Sequence, residues 1–517
     1  MSENRKKTID VALNRVEGDL ELRIEHEDGV VTNAWSKGIM YRGFENMLKG
    51  RGALDGLVLT PRVCGICGTA HLLTAAKALD MISGAQLPVN ALLVRNLAMM
   101  AEHIQSDLRH GILMFMQDCH NPAYASLPLY GEAVRRYQAF KGRSVIGAIG
   151  MTKKILEIVA ILGGQWPNSS FIVPGGVASV PTFNDIVNCT YIINLFTTWY
   201  EEQILGCPLE RWQQVRSEQD LQAWLDESDA HRDGDLGFFI RFARLVGLDR
   251  LGRGHGNFVS FGQLELPQGS AVRGRTADPL LLAAGFIGQG QAPAGCDQEL
   301  VTEHVAYSHF VDYPGGLHPS EGLTQPYVSP YEIIKYSFCK APRYNGRPAE
   351  TGPLAQMLTS GHPLFADMIA AGGPNAYVRE LARLTRPAEL LPAMKTWAGE
   401  IDPEAPFYHS VREIPDGHGY GLIDASRGAL GHWVEISRQK IAHYQIITPT
   451  AWNGSPRDHD GVRGPWEEAL IGTPIADPDN PVEIGHVIRS FDACQVCSVH
   501  LLTNNAPATG RSRCVRV

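Results

Sequence analysis

The chain has 517 residues, a formal net charge of −9, 44% hydrophobic residues and 20% charged residues. These proportions are typical of a folded protein and exclude wholesale disorder. The mild acidity argues against nucleic acid as the main partner, because phosphate backbones need clustered Lys and Arg. No apolar run follows the basic residues of 1–7, and no segment has the length and apolarity of a membrane span. We therefore expect a cytoplasmic protein that contacts a membrane only through partners.

The apolar and polar residues alternate in 20–25, and Asp28-Gly29 follows, which predicts a β-hairpin. Helical patterns follow at 71–79, about 89–117, 150–163 and 185–205, with Asn184-Asp185 as capping residues of the last. An acid-rich surface helix and loop are predicted at 213–236, and loops at 267–278 and 453–464. None of these segments resembles an interdomain linker, so a single, mostly helical body with small β elements is expected.

Four of the ten cysteines form two C-x-x-C pairs at opposite ends of the chain, and a histidine follows each pair closely. These residues are Cys64, Cys67 and His71 near the start, and Cys494, Cys497 and His500 near the end. Three residues span nearly one helical turn, so each pair is predicted to direct both sulfurs to one side. On the same helix, His71 would lie near the Cys67 sulfur.

The two cysteine pairs are compatible with several kinds of site. They are compatible with redox dithiols or with a structural Cys₄ zinc site. Structural zinc modules usually keep their ligands within a few tens of residues, which these pairs do not. Four thiolates also suit a soft transition metal or an iron–sulfur cluster.

The two cysteine segments resemble the signatures of the large, catalytic subunit of nickel–iron hydrogenases, R-x-C-G-x-C-x-x-x-H and D-P-C-x-x-C-x-x-H. Further family blocks are matched in the same order by Arg15-Val-Glu17-Gly, Arg42-Gly-Phe-Glu45, Pro174-Gly-Gly-Val177, Leu317-His-Pro319, Glu350-Thr-Gly-Pro-Leu354, Arg427-Gly-Ala-Leu-Gly-His432 and Thr448-Pro-Thr-Ala-Trp-Asn453. The N-terminal blocks look closest to the cytoplasmic uptake branch. Ser426 and Ala493 depart from the family by replacing Pro, and Ser106 stands where some relatives have Asp.

The resemblance implies an α+β, mainly α-helical fold with a central bundle of long helices and small peripheral β-sheets. It also implies a nickel–iron centre whose iron carries carbon monoxide and cyanide. Cys64 and Cys494 would be terminal nickel ligands, and Cys67 and Cys497 would bridge to the iron. A magnesium ion would be held by Glu45, His500 and the carbonyl of Ile446.

The resemblance also assigns roles around the metals. Arg427 would help to polarise and split H₂, and Asp492 would pair with Arg427. Glu17 would take a proton from Cys494, and His71 would hydrogen-bond a bridging sulfur. Thr450 and the backbone at Ser426 would contact cyanide.

The implied reaction is H₂ ⇌ 2H⁺ + 2e⁻, in the direction of H₂ uptake. The chain lacks further paired cysteines for an electron-transfer chain, so the clusters would lie in an iron–sulfur small subunit. Residues 1–500 would form one domain. A dedicated endopeptidase would remove 501–517 after nickel and iron insertion factors have loaded the site.

Three alternatives are considered. The first is a hydrogen-sensing regulatory relative, which would generally lack such a tail. The second is a non-catalytic relative that has lost its cysteines, and all four are present here. The third is a structural Cys₄ zinc protein.

Overall fold

Four long helices pack together at the centre of the protein. The computed structural model describes residues 7–16, 20–272, 279–328, 334–494 and 514–516. The helices are α1 Phe44–Leu48, α2 Asp55–Leu59, α3 Gly68–Ser83, α4 Val89–Leu108, α5 Tyr130–Tyr137, α6 Arg143–Gly163, α7 Phe183–Trp199, α8 Leu209–Trp212, α9 Glu218–Glu227, α10 Asp229–Asp233, α11 Asp235–Val246, α12 Pro353–Thr359, α13 Pro363–Gly372, α14 Ala376–Glu400, α15 Pro449–Asn453, α16 Pro465–Leu470 and α17 Val482–Ser490. Helix α4 packs on α6 and α14, and α7 packs on the same two helices.

Small sheets surround this bundle. The strands are β1 Lys7–Leu13, β2 Leu20–Glu27, β3 Val30–Gly38, β4 Ile172–Val173, β5 Gly176–Val177, β6 Phe258–Glu265, β7 Leu280–Ile287, β8 Val301–His304, β9 Ala341–Tyr344, β10 Gly417–Ala425, β11 Gly428–Ser437, β12 Lys440–Ile447 and β13 Cys514–Arg516. The four-stranded sheet has the order β13-β1-β2-β3, in which only the β1–β13 pair is parallel. The predicted hairpin is therefore β2–β3, and the mainly helical α+β prediction is confirmed.

The antiparallel sheet β10-β11-β12 lies against α3, which follows the first cysteine pair. Gly421 makes this approach possible, because a Cβ atom there would stand 1.9 Å from the carbonyl oxygen of Thr74. Ala425 pairs with Gly428, so Ser426 and Arg427 form a two-residue turn between β10 and β11. Arg427 therefore lies at the end of the β10–β11 hairpin, inside the protein.

Some local predictions are wrong in detail. Cys64 and Cys67 do not lie on a helix: Cys67 directly precedes the first residue of α3, and Cys64 lies in the irregular turn before it. Helix α7 begins at Phe183, because Thr182 caps it and forms a reciprocal pair of hydrogen bonds with Asp185. Within the described residues, none of the helices combines the length and apolarity needed to span a bilayer.

The long predicted helices continue in altered form. Helix α4 gives way to a π-helix over Arg109–Phe115, and α7 gives way to another over Tyr200–Leu205. Helix α6 begins at Arg143, earlier than predicted. The segment 454–464 is a loop, as predicted, while the other predicted loop, 267–278, lies partly outside the described residues.

Candidate metal centre

Two cysteines from opposite ends of the chain meet in the core. The Sγ atoms of Cys64 and Cys494 are 3.6 Å apart, and both residues are fully buried. Two sulfurs bound tetrahedrally at about 2.3 Å to one metal would stand about 3.8 Å apart. The donor chemistry and the separation therefore fit a shared soft metal ion. Cys497, Glu17 and His500 lie outside the described residues.

The chain turns sharply to bring Cys494 to this position. Helix α17 ends at Ser490, and Asp492 then adopts a left-handed conformation with φ of 57°, which is uncommon for a residue other than glycine. The backbone N–H of Cys494 donates to the hydroxyl of Thr450 at 3.2 Å. That hydroxyl accepts this bond and keeps its own hydrogen to donate. The structure thus brings Thr450 next to a predicted metal ligand.

Arg427 and Asp492 form a buried ion pair beside the cysteines. The Nε of Arg427 lies 3.0 Å from Oδ1 of Asp492, without hydrogen-bond geometry. Burial alone would lower the pKa of Arg427, but Asp492 and the sulfurs of Cys494, Cys64 and Cys67 outweigh it and raise the pKa. The Nη1 of Arg427 is buried and has no hydrogen-bond partner within the described ranges. A charged donor is therefore available to a group held by the sulfurs.

Asp492 also contacts Arg383 and His110, two residues that the sequence analysis did not assign to the site. Its Oδ2 accepts from Nη1 of Arg383 at 3.1 Å, and its Oδ1 lies 3.0 Å from Nδ1 of His110. Burial would raise the pKa of Asp492, but Arg427, His110 and Arg383 hold it far below its usual range. Beyond His110 lies Glu380, whose pKa burial raises to about 8. The feature of the sequence that could have indicated these residues is the presence of charged side chains on helices that are otherwise apolar.

Glu102 on α4 fixes the helix that follows the first cysteine pair. Its carboxylate accepts the backbone N–H groups of Thr69 and Ala70 at 2.9 and 3.0 Å, in the first turn of α3. Negative charge is favourable there, because the N-terminus of a helix carries partial positive charge. Burial raises the pKa of Glu102 to about 7. Sequence reasoning missed this residue as well.

His71 lies in α3 and starts a chain of polar contacts leading away from the cysteines. Its Nδ1 is 3.1 Å from Nε2 of His432, whose Nδ1 is 2.9 Å from the hydroxyl of Tyr444. Burial lowers the pKa of His71 to about 4, so the ring is neutral near pH 7. The predicted contact of His71 with a bridging sulfur stays a prediction.

Glu45 and Ile446, two of the three residues predicted to hold magnesium, lie in an oxygen-rich group. Glu45 accepts the backbone N–H of Ile446 at 3.0 Å and the hydroxyl of Thr324. Both Glu45 and Ile446 line a cavity of about 70 Å³ together with Glu303. Burial raises the pKa of Glu303 to about 7, and the charge of Glu45 adds to this rise. Glu303 already faces the ammonium of Lys340 at 3.6 Å, so the Glu45 carboxylate is the oxygen donor here that fits a hard cation such as Mg²⁺.

Buried cysteine sulfurs beside an arginine–aspartate pair inside a helical core fit the centre of a metal-dependent redox enzyme. A family model described as nickel-dependent hydrogenase matches residues 42–114 and 239–500. The periplasmic [NiFeSe] hydrogenase large subunit of Desulfomicrobium baculatum is 31% identical, over 95% of this chain and 94% of that protein. The uptake hydrogenase large subunit of Rhodobacter capsulatus is 28% identical, over 98% and 97%.

Solved structures agree with this match. The H₂-activated [NiFeSe]-hydrogenase of Dm. baculatum superposes with a TM-score of 0.80 at 30% identity, covering 96% of this chain and all of that one. The reduced Ni-Fe-Se hydrogenase of D. vulgaris Hildenborough gives a TM-score of 0.78 at 29% identity. The chain belongs to the nickel-dependent hydrogenase family, as the catalytic large subunit. The zinc and hydrogen-sensor alternatives are not favoured.

Asp492→Asn tests the buried charge pair. The change leaves Arg427 and Arg383 without a countercharge that they share, so we expect a loss of about 3–5 kcal/mol in the free energy of unfolding. Equilibrium unfolding in urea measures it. The control is Asp226→Asn, which removes an exposed partner of Arg232 and should cost less than about 1 kcal/mol. Equal losses for the two variants would contradict the interpretation.

Proposed function

We propose that this chain catalyses hydrogen uptake, H₂ → 2H⁺ + 2e⁻, as part of a complex with an iron–sulfur subunit. The observation that carries the proposal is the buried pair of sulfurs, 3.6 Å apart, next to the charged Arg427 guanidinium. The similarity to named uptake hydrogenases supports H₂ oxidation as the direction of the reaction. The cytoplasmic location stays a prediction, which fractionation of cells would test.

A nickel–iron group bearing carbon monoxide and cyanide, held by Cys64, Cys67, Cys494 and Cys497, would supply the site at which H₂ is split. The raised pKa of Arg427 keeps its guanidinium charged throughout the physiological range. In the proposal Arg427 therefore polarises H₂ as a fixed charge, and it does not carry the proton. The predicted carriers are the Cys494 sulfur and then Glu17.

The neighbouring polar groups have supporting roles. Thr450 fixes the backbone of Cys494 and has a hydroxyl hydrogen left for an anionic ligand such as cyanide. Glu45 and the carbonyl of Ile446, with His500, would hold Mg²⁺ at the second group of oxygen donors. That ion would tie the start of the chain to its end, since Glu45 lies in α1.

An exposed apolar face supports the proposed partner. Phe183, Val187, Tyr191 and Leu195 recur every fourth residue on α7 and are 38–70% exposed. Three residues before Phe183, Val180 lines a cleft of about 820 Å³ together with Leu54 and other mostly apolar residues. The chain runs from this cleft through α2 to Cys64. An iron–sulfur subunit seated there would lie next to the segment that holds the metals.

Val187→Glu tests this docking face. A buried, unpaired carboxylate in the interface would weaken association, so we expect loss of the co-purifying iron–sulfur subunit. The matched control is Val462→Glu, at a valine of comparable exposure on the 454–464 loop. Retention of the partner by Val187→Glu would place the interface elsewhere.

Cys64→Ser tests the metal assignment. Nickel analysis and infrared spectroscopy of the wild-type complex should give nickel with cyanide and carbonyl bands, and H₂-dependent dye reduction should be present. The variant should lose nickel and activity, because a hydroxyl is a poor ligand for a soft metal. Cys296→Ser, at a half-buried thiol, should retain both. Zinc without nickel or infrared bands in the wild type would falsify the hydrogenase assignment.

The tail 501–517 gives a separate prediction. If an endopeptidase cuts after His500 once nickel is present, the chain in the purified active complex should end at His500 by intact-mass analysis. The chain from cells grown without nickel should still end at Val517. A metal-loaded, active chain ending at Val517 would rule out the cleavage.

A further inference from the structure

The turn that carries Arg427 is buried, and its backbone groups need protein partners. Ser426 and Arg427 are 0% and 3% exposed. Backbone carbonyls that are shielded from water are costly unless they accept a hydrogen bond. The carbonyl of Ser426 accepts from Nη2 of Arg386 at 2.9 Å. Arg386, on α14, thus holds the residue immediately before Arg427.

Arg386 is itself locked in place. Its Nε and Nη2 donate to the two carboxylate oxygens of Asp107, on α4, at 2.8 and 2.6 Å. Its Nη1 donates to the side-chain oxygen of Gln356, on α12, at 2.6 Å. A two-point contact with a carboxylate fixes the plane of the guanidinium as well as its distance. The Arg386 side chain therefore fixes the position of the turn relative to α4, α12 and α14.

The turn is also held on its other sides. The Ser426 hydroxyl lies 3.0 Å from Nδ1 of His103, one turn before Asp107 on α4. The N–H of Ala429 donates to the Thr351 hydroxyl at 2.7 Å. Gly428 has a φ of 118°, and a Cβ atom there would stand 2.3 Å from the same hydroxyl. The chain has little freedom to move around Arg427.

The charges around Arg386 are balanced. Asp107 faces Arg386 and, at 3.6 Å, Arg383, while Arg383 is also bound to Asp492. Asp107 and Arg386 are both 0% exposed, so neither charge is relieved by water. Because Asp107 compensates the charge of Arg386, Arg386 adds little net positive charge to the field at Arg427. A change at either residue alters both the position of the turn and the field at Arg427.

We propose that Asp107 and Arg386 are positioning residues for the hydrogenase reaction, which hold the Ser426–Arg427 turn so that Arg427 faces the cysteine sulfurs. The inference rests on the proposed role of Arg427. Both residues act through the Ser426 carbonyl and the charge balance at the turn. The pair links α4 and α14, which are distant in sequence, to the hairpin β10–β11.

Arg386→Lys and Asp107→Asn test this inference in the purified complex. Lysine keeps the charge but loses the two-point contact, and asparagine keeps the shape but loses the charge. We expect unchanged nickel content, a fall in kcat of about tenfold to a hundredfold, and shifted cyanide and carbonyl infrared bands. Either variant suffices if the other does not fold.

A double-mutant cycle with Arg427→Lys separates positioning from general damage. If Arg386 acts by placing Arg427, Arg386→Lys should have little further effect on kcat or on the infrared bands once Arg427 is lysine. The matched control is Arg343→Lys, at a fully buried arginine paired with Asp458 at 2.7 Å. That change should lower stability but leave the infrared bands unmoved.

Two results would overturn the inference. One is an equal loss of kcat from Arg386→Lys in the wild-type and Arg427→Lys backgrounds. The other is unmoved infrared bands in nickel-loaded Arg386→Lys and Asp107→Asn. Failure of the proposed function is distinguishable, because the wild-type complex itself would then lack nickel and the infrared bands.

Discussion

The arrangement of buried charges in this protein depends on the ion pair between Arg427 and Asp492. The buried guanidinium is tolerable because Asp492 and the cysteine sulfurs compensate its charge, since an unpaired buried charge costs several kcal/mol. Asp492 is shared with Arg383 and His110, so compensation spreads from the centre into α14 and the π-helix after α4. The bundle therefore supplies both the apolar shell and the charges that stabilise the site.

Helix α4 illustrates how the interior is organised. Almost all of its residues are buried, yet Glu102, His103 and Asp107 are polar, and together they hold two different parts of the centre. Glu102 fixes the start of α3, and His103 and the Asp107–Arg386 pair fix the Arg427 turn. One rigid element thus sets the distance between the first cysteine pair and the arginine.

The motif residues could be predicted from the sequence, because they lie in short blocks with recognisable spacing. The sulfurs of Cys64 and Cys494 lie 3.6 Å apart, Arg427 lies close enough to interact with their charges, and Glu45 contacts Ile446, while their roles as ligands stay predictions. Asp107, Arg383 and Arg386 could not be predicted, because their partners lie far away in sequence and no local pattern marks a buried ion pair. The three-residue spacing of Cys64 and Cys67 suggests one helical turn, but spacing alone does not show that α3 begins only after Cys67.

The parallel strand β13 bears on the proposed maturation of the enzyme. It covers the outer edge of β1, with Asp10, Val11 and Ala12 opposite Cys514, Val515 and Arg516. An open strand edge is a template on which another chain can add a strand. On the proposed maturation, cutting the tail would uncover this edge only after the metals are in place. The precursor and the mature subunit would then differ in whether this edge of β1 can accept a strand from another chain.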